Sequence, residues 1–198
     1  MHSLYDFIIK PKGGRYNNKK KIGDKELILN SEIAHHQYVN RIGIVLSLPS
    51  MSKTEIKVGD EIIVHHNVFR RFCDIRGNEK NSRSYINENT YAIRENQIFA
   101  YKRNTLGTWK ALKGYCFVKP IKSYDKLSID QEQPLVGIMK YCDDNIKNIK
   151  SGDLIGFTPD SEYEFIIDGE RLYRVLTNSI SIKYEYQGKE KEYNPSWL

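Results

Sequence analysis

The residues of this chain best suited to chemistry are its histidines and cysteines, because imidazole and thiolate groups bind metals and serve as bases or nucleophiles. Four of the five histidines form two adjacent pairs, His35-His36 and His65-His66. Adjacent residues on a strand point to opposite faces of a sheet, so neither pair can place two ligands on one metal. Cys73 is the only further ligand type that suggests itself beside the second pair. We expect ordinary surface or half-buried histidines.

Common catalytic motifs are not found in the sequence. It has no Gly-x-Ser-x-Gly pattern, no phosphate-binding P-loop and no recognisable Ser-His-Asp arrangement. We therefore predict a protein that is not an enzyme, with no catalytic residue, no metal site and no cofactor.

The composition is that of a globular chain with a modest basic excess. Of the 198 residues, 39% are apolar and 28% are charged, and the formal net charge is +6. No apolar run approaches the roughly 20 residues that a membrane helix needs, and the first residues show no secretory signal pattern. The three cysteines, Cys73, Cys116 and Cys142, match neither a disulfide framework nor a zinc site. These features predict a cytoplasmic protein that does not bind membranes.

Four short patterns occur twice along the chain in the same order. They are a strand ending in Lys-Pro, a strand containing a glycine and aliphatic residues, a Gly-Asp pair before an apolar run, and an Asn-x-Ile pattern. The matched residues are Pro11 and Pro120, Gly43 and Gly137, Gly59 and Gly152, and Asn96 and Asn178. Their separations fall from 109 to 94, 93 and 82 residues, so the second copy is shorter. The order predicts an internal duplication whose deletions fall in loops.

Each copy consists of short runs rich in β-branched and aromatic residues, with no amphipathic pattern long enough for a helix. The predicted strands are 5–10, 41–48, 60–66, 91–94 and 97–101 in the first copy, and 114–119, 135–141, 153–158, 172–176 and 179–186 in the second. Such patterns are typical of small β-barrels or sandwiches. We predict an all-β chain with domains at 1–102 and 114–198, joined by a linker at 103–113.

The succession of motifs resembles the GroES-like co-chaperonin family, the small β-barrel lids of chaperonin rings. The most recognisable pieces are Lys-Val-Gly-Asp at 57–60 and Ile-Arg-Glu-Asn-Gln-Ile-Phe-Ala at 93–100. The resemblance covers most of residues 5–102 and extends more faintly over 114–186. It implies two tandem GroES-like small β-barrels, of which the second is shortened.

In that family a long mobile loop carries an aliphatic triplet that binds an apolar groove of the chaperonin. The matching segment is 12–40, and its only aliphatic triplet is Leu27-Ile28-Leu29. The resemblance implies that these residues bind a GroEL-like chaperonin ring, with nucleotide bound by the partner. One departure is that Asp24-Lys25-Glu26 precedes the triplet where the family usually has a glycine pair.

The resemblance also implies self-association. The family's rings form when the first strand of one barrel pairs with the last strand of its neighbour. The residues implied at such an interface are Phe7, Ile8, Ile9, Ile98, Phe99 and Tyr101. Edge strands of this kind need partners, so a homo-oligomer is expected.

Three alternatives remain open. Residues 26–29 could form one more barrel strand that is buried on one face. A nucleic-acid-binding β-barrel could instead use the basic segment around Lys19-Lys20-Lys21. The further basic and aromatic residues of that alternative are Tyr16, Phe69, Arg70, Arg71 and Phe72. Finally, the chain could be a structural assembly protein, for instance a viral or phage component, that retains the fold.

Overall fold

The computed structural model describes residues 3–28, 35, 38–103, 107–123, 132–185 and 190–193. These residues form β-strands joined by turns, with two short 3-10 turns and no α-helix among them. The prediction of an all-β fold is confirmed. The main sheet of each copy is not closed into a barrel in the described residues, so the finer prediction of two barrels stays a prediction.

The chain divides into two compact units, Met1–Thr108 and Trp109–Leu198. The boundary falls inside the segment 103–113, which was predicted as a linker. That segment is not wholly irregular, because Trp109–Ala111 form a short strand at the start of unit 2.

Ten strands lie in the described part of unit 1. They are β1 (Phe7–Pro11), β2 (Lys19–Ile22), β3 (Lys25–Ile28), β4 (Ile42–Ser47), β5 (Glu61–Val64), β6 (Arg71–Cys73), β7 (Glu79–Asn81), β8 (Tyr85–Asn87), β9 (Thr90–Ile93) and β10 (Ile98–Lys102). Six of them form one antiparallel sheet in the order β10-β5-β4-β1-β9-β8. The other four form two separate hairpins, β2–β3 and β6–β7.

Unit 2 repeats this sheet. After β11 (Trp109–Ala111), its strands are β12 (Tyr115–Lys122), β13 (Glu132–Tyr141), β14 (Leu154–Phe157), β15 (Tyr163–Ile167), β16 (Glu170–Leu176) and β17 (Ile180–Tyr184). Their order in the sheet is β17-β14-β13-β12-β16-β15. Replacing each strand by its counterpart in unit 1 gives the order found there, with β12 in the place of β1.

The pairing register is also the same in the two units. Pro11 lies opposite Gly43, and Pro120 lies opposite Gly137. Each glycine allows close approach, since a Cβ on Gly137 would lie 2.4 Å from the carbonyl oxygen of Lys119. A one-residue slip would turn every side chain to the other face, so the shared register gives both units the same inward-facing positions.

The Gly-Asp turn before β5 and before β14 has one geometry. Gly59 and Gly152 have φ of +90° and +93°, which a residue with a Cβ rarely adopts. Asp60 and Asp153 each accept a hydrogen bond through Oδ2 from the backbone N–H three residues earlier, at 2.8 and 2.9 Å. The carboxylate closes the turn that the glycine makes possible.

Each unit has an apolar core on its sheet. In unit 1, Phe69 and Tyr91 are fully buried and pack edge to face at 4.8 Å between ring centroids. In unit 2, Cys116, Val118 and Ile155 are fully buried in one cluster whose residues come from β12, β13, β14 and β16. The ten strands predicted from sequence supply most of these positions.

Candidate partner-binding site

The longest connection between neighbouring sheet strands is residues 12–41, between β1 and β4 of unit 1, and we call it the excursion. Its two ends run side by side. The N–H of Asn17 donates to the carbonyl of Tyr38 at 2.8 Å, and Tyr16 and Val39 form an isolated antiparallel β-bridge. The N–H of Asn40 donates to the carbonyl of Arg15 at 2.9 Å. The excursion is therefore a protrusion with a fixed base.

Asn40 holds this base together. Its side chain is buried, with the residue only 2% exposed. Nδ2 donates to the carbonyls of Lys12 and Gly14, both at 2.8 Å, and Oδ1 accepts from the N–H of Ile42 at 2.9 Å. One amide thus satisfies three backbone groups at the point where the chain leaves and rejoins the sheet.

Further out, the excursion carries the β2–β3 hairpin. Gly23 and Asp24 form its two-residue turn, and Gly23 has a φ of +60°. Among the described residues the two strands pair only with each other. A hairpin that is outside both main sheets exposes both of its faces.

The structure places two residues of the predicted triplet on this hairpin. Leu27 is 51% exposed and Ile28 is 61% exposed, on opposite faces of β3. Leu29 lies outside the described residues. The strand alternative for 26–29 agrees with the backbone of β3, but β3 is exposed along its whole length and belongs to neither main sheet.

Ile22 is a candidate that the sequence analysis missed. It lies directly opposite Lys25, and Leu27 is two residues further along the same strand, so the three share one face. Ile22 is as exposed as Ile28. A signal was present in the sequence, because Gly-Asp between two short runs with β-forming residues is typical of a two-residue hairpin.

The residues predicted at a subunit interface lie on β1 and β10 of unit 1. All six are buried within the single chain: Phe7, Ile8, Ile9, Ile98, Phe99 and Tyr101. The strand β1 is hydrogen-bonded on both edges, to β4 and to β9, so a neighbour could not pair with it without displacing one of them. The interface itself stays a prediction, because a single chain does not test it.

The adjacent histidines near β5 are occupied by local contacts. The rings of His65 and His66 stack with centroids 4.3 Å apart, and Nδ1 of His65 accepts from the N–H of Asn67 at 3.1 Å. In the part of the chain that the structure describes, no group of three or more His, Cys, Asp or Glu residues is placed to hold a metal.

Two of the three aromatic residues suggested for nucleic acid, Tyr16 and Phe69, have structural roles, while Phe72 is 42% exposed. Phe69 is fully buried, so its ring is not available for stacking on a base. The hydroxyl of Tyr16 accepts from the N–H of Arg71 at 2.8 Å, and the Arg71 guanidinium pairs with Glu79 at 2.6 Å. These contacts tie the base of the excursion to the β6–β7 hairpin.

No protein-family model matches this chain, and no curated protein is detectably similar in sequence. Among the described residues, no helix has the length and apolar character needed to cross a membrane. What the arrangement offers chemically is an exposed aliphatic hairpin on a firm base, which suits burial against an apolar partner surface.

Proposed function

We propose that the protein is a co-chaperonin that caps a GroEL-like chaperonin ring through the β2–β3 hairpin and assists protein folding. The observation that carries the proposal is the exposure of Leu27 and Ile28 on a hairpin that pairs with no other described strand. Isolated exposed aliphatic residues are common, but several on one protrusion with a clamped base indicate a binding element.

The energetics suit a lid that must also leave. Each aliphatic side chain contributes about 1.5–3 kcal/mol when fully buried, and ordering the hairpin offsets part of this. One hairpin therefore binds weakly. Several hairpins on a self-associated ring bind together through effective concentration, without new contacts, and can be released when the chaperonin changes state. The nucleotide that drives this change is bound by the partner.

The finer fold in this proposal is a tandem pair of GroES-like small β-barrels. It is supported by the repeated strand order and by the Gly-Asp turn that both units share at Gly59 and Gly152. The excursion between the first two sheet strands is longer in unit 1, since the separation of matched residues falls from 109 at Pro11 and Pro120 to 94 at Gly43 and Gly137. An arm of the β2–β3 type is therefore expected once per chain.

The test substitutes the exposed aliphatics with serine. Leu27→Ser/Ile28→Ser and a matched control, Val58→Ser, are compared with the wild-type chain by native mass and co-sedimentation with a GroEL-type ring, with and without nucleotide. Val58 is a similarly exposed aliphatic residue of unit 1 outside the hairpin. We expect the double variant to keep its own oligomeric mass and lose the ring, while the control binds normally.

Two outcomes contradict the proposal. Unchanged binding by the double variant would remove the hairpin from the interface. A wild-type chain that assembles with itself but ignores the ring would favour the structural-assembly alternative instead.

A further inference from the structure

The β6–β7 hairpin distinguishes unit 1 from unit 2 as clearly as the excursion does. The separation of matched residues falls from 93 at Gly59 and Gly152 to 82 at Asn96 and Asn178. In unit 1 the connection from β5 to β8 is residues 65–84, and it contains this hairpin. Unit 2 passes from β14 to β15 through residues 158–162 alone. The sheet therefore forms without such a hairpin, and its role lies elsewhere.

The tip of the hairpin is held in one conformation. Oδ1 of Asp74 accepts from the N–H groups of Arg76 and Asn78, both at 2.9 Å, and its carbonyl accepts from the N–H of Gly77 at 2.9 Å. Gly77 has a φ of +80°. A tip fixed in this way loses little conformational entropy when it meets a partner.

What this rigid tip displays is an isoleucine. Ile75 is 104% exposed, the highest exposed fraction of any large apolar residue in the described part of the chain. Arg76 follows it and is also exposed. On one face of the strands, exposed Phe72 lies directly opposite Lys80. The hairpin thus presents apolar side chains next to cations, of which Lys80 lies 3.9 Å from the Asp74 carboxylate.

The β2–β3 hairpin has the same chemical character. Its exposed Ile22 and Leu27 share a face with Lys25. Its acidic Glu26 is engaged by Lys19 at 2.9 Å. Apolar side chains flanked by cations fit an apolar groove with carboxylates on its rim. The groove buries the aliphatic side chains, and at the solvent-accessible rim the cations attract the carboxylates without full desolvation.

The bases of the two hairpins are joined. The hydroxyl of Tyr16, in the excursion, accepts from the N–H of Arg71, the first residue of β6, at 2.8 Å. The Arg71 guanidinium lies 5.3 Å from the centre of the Tyr16 ring. Nε of Arg15 donates to the carbonyl of Phe69 at 3.2 Å. Both hairpins therefore leave the unit from one connected base.

We propose that the β6–β7 hairpin is a second partner-binding element, and that Ile75 and Arg76 engage the same ring as the β2–β3 hairpin, in an apolar site rimmed by carboxylates. The identity of the partner rests on the proposed function; the assignment of the second element rests on the exposure, rigidity and charge of the hairpin itself.

The test measures binding of the full chain to a GroEL-type ring with nucleotide, at low and moderate salt. The variants are Ile75→Ser and Arg76→Glu, with Ile166→Ser as the control because Ile166 is an exposed isoleucine of unit 2. Since Ile75 buries nothing in the unit, its variant should melt like wild type. We expect Ile75→Ser to weaken ring binding by at least about tenfold, and Arg76→Glu to weaken it most at low salt.

Each result decides the matter. If the wild type binds the ring and Ile75→Ser binds equally well, the second element is wrong while the proposed function stands. If Ile75→Ser weakens binding and Arg76→Glu does not, the carboxylate rim is wrong. If the wild type does not bind the ring, the proposed function fails and takes this assignment with it.

Discussion

Glu61 and Lys102 lie directly opposite each other on β5 and β10 and form an ion pair inside unit 1. Their carboxylate and ammonium groups are 3.5 Å apart, and each side chain is only 6% exposed. Lys12 adds a second cation, 2.6 Å from Oε1 of Glu61. The equivalent cross-strand pair in unit 2 is Leu154 and Tyr184, so the two copies fill one place with charges and with apolar groups respectively.

This contrast predicts how unit 1 responds to substitution. Glu61→Leu alone removes the carboxylate that lies opposite buried Lys102 and should reduce the free energy of unfolding by about 3–5 kcal/mol. Glu61→Leu/Lys102→Met removes both charges at similar volume and should be neutral or stabilising by about 1–4 kcal/mol. Lys12 can reach water in both variants, since its side chain is 40% exposed. Urea unfolding measures the difference.

The two variants must differ for the explanation to hold. A double variant as unstable as Glu61→Leu would contradict this explanation. It would mean that the single variant is destabilised by the loss of the ion pair and not by a buried charge that has lost its carboxylate.

Asn40 should be the most sensitive residue at the base of the excursion. Asn40→Ala removes the amide that donates to two carbonyls and accepts from the N–H of Ile42, at a partly buried place. We expect a loss of roughly 1–3 kcal/mol, because backbone groups that lose their partners and cannot fully hydrate keep part of their desolvation cost. Hydrogen exchange should quicken first at Asn17, which pairs across the base with Tyr38.

Asn40→Asp is the matched control. It keeps the shape and the acceptor for Ile42 but turns a carboxylate oxygen toward two carbonyls, so it should be at least as unstable as Asn40→Ala. Wild-type exchange at Asn17 in both variants would show that the base is held by something else.

Several features of the fold could be predicted from the sequence because they depend on local signals. Gly59 and Gly152 mark turns that need a positive φ, and the runs that follow them are short and apolar. The four duplicated patterns preserved their order, and the structure gives them the same strand order and register. The falling separation also indicates that unit 2 is shorter after its Gly-Asp strand, where unit 1 has the β6–β7 hairpin.

Other features depend on contacts distant in sequence. The sequence around Glu61 does not predict that Lys102 and Lys12 are its partners, because both are distant along the chain. The hydrogen bond from Arg71 to Tyr16 joins residues 55 positions apart. Phe72 and Ile75 belong to an apolar-basic stretch whose exposure follows only once β6 and β7 are seen to leave the sheet. The β2–β3 hairpin is different, since Gly23-Asp24 was a readable signal.

The paired turns predict matched costs in the two units. Gly59→Ala and Gly152→Ala place a Cβ where no atom lies within 4 Å, so the penalty comes only from the backbone conformation at φ of +90° and +93°. Each should lose about 1–3 kcal/mol. Gly137→Ala is a contrasting variant, because its Cβ would clash with the carbonyl of Lys119. Thermal unfolding of all three should show two similar losses and one larger loss; unequal turn variants would contradict the shared geometry.

Tyr91 predicts an alkaline limit to the stability of unit 1. Its side chain is fully buried, and its hydroxyl has no hydrogen-bond partner among the described residues. Burial raises the pKa of Tyr91 to about 12, against the opposing effect of the nearby Arg15 guanidinium. The folded state therefore holds this proton more tightly than the unfolded chain, whose tyrosine pKa is about 10. The resulting stability is complete below pH 10 and is lost as pH rises toward 12.

Tyr91→Phe removes both the unpaired hydroxyl and its titration. At neutral pH the variant should be as stable as wild type or more stable by up to about 1–2 kcal/mol, because no hydrogen bond is lost. Between pH 10 and 12 the stability advantage of the variant should grow. In this range the unfolded wild-type chain is favoured because it releases the Tyr91 proton, and the variant has no such proton to release. Urea unfolding of both proteins from pH 8 to pH 12 measures this difference. An advantage that stays constant across that range would mean that Tyr91 ionises as easily in the folded unit as in the unfolded chain.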